Sequence, residues 1–114
     1  MQAILLILVT FDFNSSKIST ITSIGSAYIG SSTTYTVDSD ITGIIIVQTA
    51  NDDRSNAFCT VSEGICNEML NQTIHRSGYA SQLAIYNISI PANTVITFGS
   101  SLCTVVRGYL CTLE

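Results

Sequence analysis

Ser81-Gln82-Leu83-Ala84-Ile85-Tyr86-Asn87-Ile88-Ser89-Ile90, closed by Pro91-Ala92-Asn93, is the stretch that decides how this chain folds. In an extended backbone Leu83, Ile85, Asn87 and Ser89 fall on one side. Ala84, Tyr86, Ile88 and Ile90 fall on the other. A repeat of two residues is the signature of a β-strand with one buried face. Pro91 sits in the turn and not in the ladder, because proline has no N–H to give a neighbouring strand.

The same reading extends in both directions. Upstream, residues 3–13 read as a strand ending at Asn14-Ser15-Ser16. Residues 17–24 carry Ile18, Ile21 and Ile24 with Ser and Thr between them, which favours an irregular strand over a helical turn. Gly25 and Gly30 bracket a loop, Thr33–Val37 is a short strand, and Asp38-Ser39-Asp40 turns into a strong strand at Ile41–Ala50. After the polar loop Asn51–Ser55, residues 56–61 and 65–74 are expected to pair as a hairpin over Ser62-Glu63-Gly64. His75-Arg76-Ser77-Gly78 turns into the alternating strand, and residues 94–98 and 102–112 close the chain. The expectation is eight or nine strands, no helix, and turns at intervals of about ten residues, the rhythm of a sandwich or barrel.

Composition agrees. Of 114 residues, 16 are Ile, 7 Val and 14 Thr, so a third of the chain is β-branched and suits strands. Hydrophobic residues make up 46% and charged residues 11%, so the chain can bury enough surface to fold and is not disordered. One domain spanning residues 1–114 is expected at this length. The net charge is −4 with four basic residues, Lys17, Arg54, Arg76 and Arg107, too few to neutralise phosphates, so nucleic acid is not expected as a partner. The apolar run Ala3–Val9 is far short of the roughly 20 residues of a spanning helix, so membrane insertion is not expected. It also lacks the basic residues that precede a signal peptide's apolar stretch. The closing Leu113-Glu114 is the dipeptide that cloning leaves before a histidine tag, and equally an ordinary ending.

Two strands are apolar on both faces, Ala3–Val9 and Ile44–Val47. A two-layer sandwich shows one face of each strand to water, so a continuous apolar run needs cover on its second side. A chain this short has little left for a third layer. The expected cover is another copy, in a closed trimer with Leu6, Leu8, Ile45 and Val47 at the contact.

The cysteines are Cys59, Cys66, Cys103 and Cys111. Their spacings match no zinc site. Cys59 and Cys66 would face each other across the 62–64 turn, where both a disulfide and a pair of buried thiols remain open. Cys103 and Cys111, eight apart in one expected strand, would stand roughly 26 Å from each other and so remain free thiols.

No motif for chemistry stands out. His75 is the single histidine and reads as a turn-tip residue. Asp38, Asp40, Asp52 and Asp53 have calcium-type oxygens, but Asp38-x-Asp40 lacks the Gly and Glu that complete an EF-hand. Aspartates in turns are the ordinary explanation. Asn14, Asn71 and Asn87 head glycosylation sequons at a frequency chance supplies, and these matter only in a eukaryotic secretory pathway. No enzymatic activity, metal or cofactor is expected.

The stretch Gly30-Ser-Ser-Thr-Thr-Tyr-Thr-Val-Asp-Ser-Asp40 leads into the strong strand, and Ile90-Pro-Ala-Asn-Thr-Val-Ile-Thr-Phe98 leads into a late one. Together they resemble the small jelly-roll head domains of bacteriophage fibres and spikes, which are similar to the trimeric C1q and tumour-necrosis-factor folds. In that family a Gly-Ser-x-Tyr-Thr-Val phrase precedes the first long core strand. A Pro/Lys-x-Gly-Asp-Thr-Ile-Thr phrase precedes a late strand. Here Asn93 stands where Gly is usual, and the Gly that follows the aspartate turn is displaced to Gly43. The resemblance covers about residues 26–112 and carries over no binding residues.

It implies an all-β jelly-roll β-sandwich, assembled as a homotrimer, serving as the head or receptor-binding domain of a fibre, spike or decoration protein on the virion surface. Its partner would be a host cell-surface glycan or protein. The alternative is a secreted, extracellular binding or carbohydrate-recognition module of C1q/tumour-necrosis-factor type. A jelly roll gathers its loops at two ends, where a rigid scaffold positions them. Two strands separate the loop at Asp52, Asp53 and Arg54 from the turn at His75, Arg76 and Tyr79, so both fall at one end as the expected receptor-binding patch.

Overall fold

In the computed structural model the alternating stretch lies at the heart of a five-stranded sheet. The structure describes residues 18–28, 32–50, 57–76, 79–100 and 105–113. They form eight strands: β1 (Ile18–Tyr28), β2 (Ser32–Thr36), β3 (Ile41–Ala50), β4 (Ala57–Val61), β5 (Ile65–Arg76), β6 (Tyr79–Ile90), β7 (Val95–Ser100) and β8 (Val105–Leu113). The large sheet runs in the order β1-β8-β3-β6-β5, the small one β2-β7-β4, and every pairing is antiparallel. No helix occurs among the described residues. The expected strand at residues 3–13, with Leu6 and Leu8, lies outside them, as does Cys103.

The two sheets enclose one apolar core, the arrangement of a β-sandwich. Ala84, Tyr86, Ile88 and Ile90 of β6 are buried and meet Ile45 and Val47 of β3, Val106 and Leu110 of β8, and Ile96 and Phe98 of β7. Leu83 and Ser89, on the opposite face of β6, are exposed. The two-residue period at 81–90 therefore separates core from surface as expected.

Three expectations are corrected. Residues 57–61 and 65–76 follow each other but do not pair: β4 joins β7 in the small sheet, while β5 joins β6 in the large one. The turn between them is where the chain changes sheets. Ser62 still follows β7, its N–H donating to the Val95 carbonyl at 3.0 Å. Gly64 then takes φ +82°, which an L side chain rarely adopts, and packs against the Ser89 carbonyl. Second, Gly25 does not open a loop. β1 continues to Tyr28 through a bulge between Ser23 and Gly25, with Gly25 at φ +117°.

Third, Ile45 and Val47 do not face another copy. Both are 0% exposed inside this chain's own core. The apolar run of β3 is split by the pleat, and its outer side belongs to Ile44 and Ile46, which are half-buried.

Candidate functional site

The two ends of the sandwich differ in kind. One carries the turns 37–40, 62–64 and 91–94 and is tied by hydrogen bonds. Val37 N–H donates to the Thr94 carbonyl at 3.1 Å, and Asn93 N–H donates back to the Val37 carbonyl at 2.8 Å. The Thr94 hydroxyl donates to the Pro91 carbonyl at 2.7 Å. The Asp40 carboxylate accepts from the Ala92 N–H at 2.9 Å. Asp40 therefore braces a turn, the ordinary role of aspartate there. Among the described residues no group of three His, Cys, Asp or Glu side chains could hold a metal.

At the opposite end lie the strand ends that flank the connections expected to bind. Arg76 pairs with Tyr79 and His75 with Ala80, so these residues close the β5–β6 hairpin. The strands thus run further than expected: His75, Arg76 and Tyr79 belong to the ladder, not to a free turn. Asp52, Asp53 and Arg54 lie outside the described residues, but the strand ends on either side of them converge on one side chain. Gln82, near the start of β6, donates its backbone N–H to the Thr49 hydroxyl of β3 at 2.9 Å. Its side-chain oxygen accepts from the N–H of Ala57, the first residue of β4, at 2.9 Å. Its amide nitrogen donates to Asn71 Oδ1 on β5. Asn71 in turn donates to the Glu68 carboxylate at 3.3 Å.

Gln82 is 4% exposed and satisfies polar groups of three neighbouring strands. It bridges the two sheets just where the 50–57 connection leaves and returns. The strand ends that flank the two expected loops therefore lie at one end of the sandwich: Thr49 and Ala57 for one, Arg76 and Tyr79 for the other. The strand ends Tyr28, Ser32 and Val105 also lie at that end, because Tyr28 and Ala50 both pair with Val105 and Ser32 pairs with Gly99. Sequence reading passed over Gln82. Its signal was a single amide on the side of β6 otherwise filled by Ala84, Tyr86 and Ile88.

A second group lies between the sheets near the tied end. Cys59 of β4 is buried, and Cys66 of β5 is half-buried with its thiol 3.8 Å from the Cys59 carbonyl oxygen, to which it donates. Glu68 and Tyr86 pair next to them. The Cys59, Cys66 and Cys111 thiols are free.

No protein-family model matches this chain, and neither a curated protein nor a solved structure matches it.

Proposed function

We propose that this chain is the head domain of a phage fibre, spike or virion decoration protein, a homotrimeric jelly roll that attaches the virion to a host cell-surface glycan or protein. The observation that carries this reading is the nesting of strand pairs. β1 pairs with β8, β2 with β7 and β3 with β6. That is the order obtained when one long hairpin is wrapped into two sheets, the course of a jelly roll. β5 departs from it, lying beside β6 and not on β4. The two phrases behind the family resemblance meet in this nesting: β2 runs beside β7, and Val37 exchanges hydrogen bonds with Asn93 and Thr94.

The outer face of the large sheet supports assembly. Ile21 is 66% exposed, and Leu70 and Leu83 are also exposed. Ile44, Ile46, Ile85 and Tyr109 are half-buried between them. Among the described side chains of that face, the single charged one is Arg107. A broad apolar face of this kind marks an interaction surface, and three copies around a closed axis would cover it. The loops at the Gln82 end would then be presented three at a time, and weak sites would add through effective concentration.

The test is binding of the full chain to a glycan array and to host cells, alongside a variant with Arg54, Arg76 and Tyr79 replaced by Ala. The reading expects the parent to bind and a folded, assembled variant to lose binding. Binding by the variant equal to that of the parent would move the site away from these loops.

A further inference from the structure

We propose that Cys59 and Cys66 are a redox modification site, a thiol pair that closes to a disulfide joining the two sheets, with Cys66 as the thiol that reacts first. The argument begins with position. The two residues belong to different sheets, yet only the 62–64 turn separates their strands. Both lie on the inner side of their strands, Cys59 opposite Phe98 and Cys66 opposite Ile88. The Cys66 thiol already reaches the Cys59 main chain at 3.8 Å. A disulfide requires Cα atoms within about 7 Å and side chains that point toward each other, and the reach of the Cys66 thiol to the Cys59 main chain is the contact that brings the pair together.

The two thiols differ in access and in acidity. Cys66 is half-buried at the edge strand β5, and Cys59 is 8% exposed behind it. A hydrogen bond from Cys59 holds the Cys66 thiol below its ordinary range, against the opposing effect of burial. The same pairing, together with burial, pushes Cys59 up. A more accessible thiol backed by an inner one is the arrangement that takes a disulfide oxidant in two steps.

With glutathione disulfide as the oxidant, the Cys66 thiolate attacks one of its sulfurs. A mixed disulfide forms on Cys66 and one glutathione thiolate leaves. Cys59 then loses its proton and attacks the Cys66 sulfur, and the second glutathione leaves as thiolate. Two protein thiols give up two electrons and two protons, and one glutathione disulfide becomes two glutathione thiols. The new bond fastens β4 to β5, two consecutive strands with no ladder between them.

The experiment treats the folded full chain with graded glutathione disulfide and maps the products by non-reducing peptide mass spectrometry. The expected product is a Cys59–Cys66 peptide pair lighter by two hydrogens, with a urea midpoint above that of the reduced protein. Cys59→Ser should stop at glutathione on Cys66. Cys66→Ser should leave Cys59 unmodified in the folded protein. Timed alkylation of the unmutated chain gives the same order without a variant, with Cys66 labelled at least tenfold faster than Cys59. The proposal is overturned if Cys66 stays reduced at every ratio of oxidant to thiol glutathione, if Cys59 is labelled first, or if Cys66 bonds to a different cysteine.

Discussion

A Cβ added to Gly108 would stand 2.7 Å from Cζ of Phe98 and 2.8 Å from Cε2. Gly108 lies on β8 of the large sheet and Phe98 on β7 of the small one, so this pair sets how closely the sheets approach. The Phe98 ring is 0% exposed and has no room to swing aside. Gly108→Ala should therefore destabilise the fold by about 1–3 kcal/mol, the usual cost of overpacking a filled core. Chemical denaturation should show a lower midpoint with an unchanged slope. An unchanged midpoint would mean that the sheets part easily.

Asn93 has φ +70° and its N–H donates to the Val37 carbonyl at 2.8 Å. Asparagine tolerates this left-handed backbone, and β-branched residues do not. Asn93→Gly should leave thermal stability nearly unchanged. Asn93→Val should cost about 1–2 kcal/mol. Equal melting temperatures for the two variants would show that the turn relaxes.

Gln82→Leu keeps the side chain's bulk but removes the acceptor for Ala57 N–H and the partner of Asn71. Leaving a buried donor unpaired costs about 1–3 kcal/mol. Amide exchange at Ala57 should accelerate more than at Thr34, on the far strand of the same sheet, if Gln82 is the link between the sheets. A uniform acceleration would instead report only global destabilisation.

These sites show what could be read from residues in order. The bounds of β3 at Ile41–Ala50 were legible because turn residues flank a dense β-branched run. The faces of β6 were legible because its polarity alternates. The membership of β4 was not. A short strand followed by a tight turn looks like half of a hairpin, and its pairing with β7, from Ala57 with Ser100 to Val61 with Ile96, is a long-range contact that leaves no local mark. Gly25 misled because a positive φ serves a loop and a bulge equally well. At the candidate site, a reversal of the chain after residue 74 was legible, whereas the pairing of β5 with β6 through His75, Arg76 and Tyr79 was not, and neither was Gln82. One polar residue on a buried face tells of a partner but not which strand carries it.

Burial, the Glu68 carboxylate and the thiols of Cys59 and Cys66 push the Tyr86 phenol up to about 12 from its ordinary 10. The unfolded chain loses this proton first. The stabilisation is therefore complete below pH 10 and is lost as pH rises from 10 through about 12. The rise from 10 to about 12 is worth about 3 kcal/mol at most. Tyr86→Phe removes the titration, so the stability gap between parent and variant should narrow or reverse across that window. A gap that stays constant from pH 9 to pH 12 would place an ordinary phenol at Tyr86.

Ile45 and Ile46 are neighbours on β3 with opposite fates, and they separate folding from assembly. Ile45 is 0% exposed between the sheets, opposite Leu110 and Tyr86. Aspartate there would bury an unpaired charge, which costs more than a domain of this size can absorb. Ile45→Asp should give an unfolded or insoluble chain. Ile46 lies on the outer face, opposite Tyr109 and Ile85. In one chain alone, Ile46→Lys can reach water along its own stem and should leave the circular dichroism of the sheet unchanged. In a trimer built on that face, the same substitution places three like charges in an apolar contact. Light scattering coupled to size exclusion should give three chain masses for the parent and one for Ile46→Lys. The same holds for Ile85→Lys. A parent that elutes at one chain mass, or an Ile46→Lys variant that stays trimeric, would remove the outer face of the large sheet from the assembly.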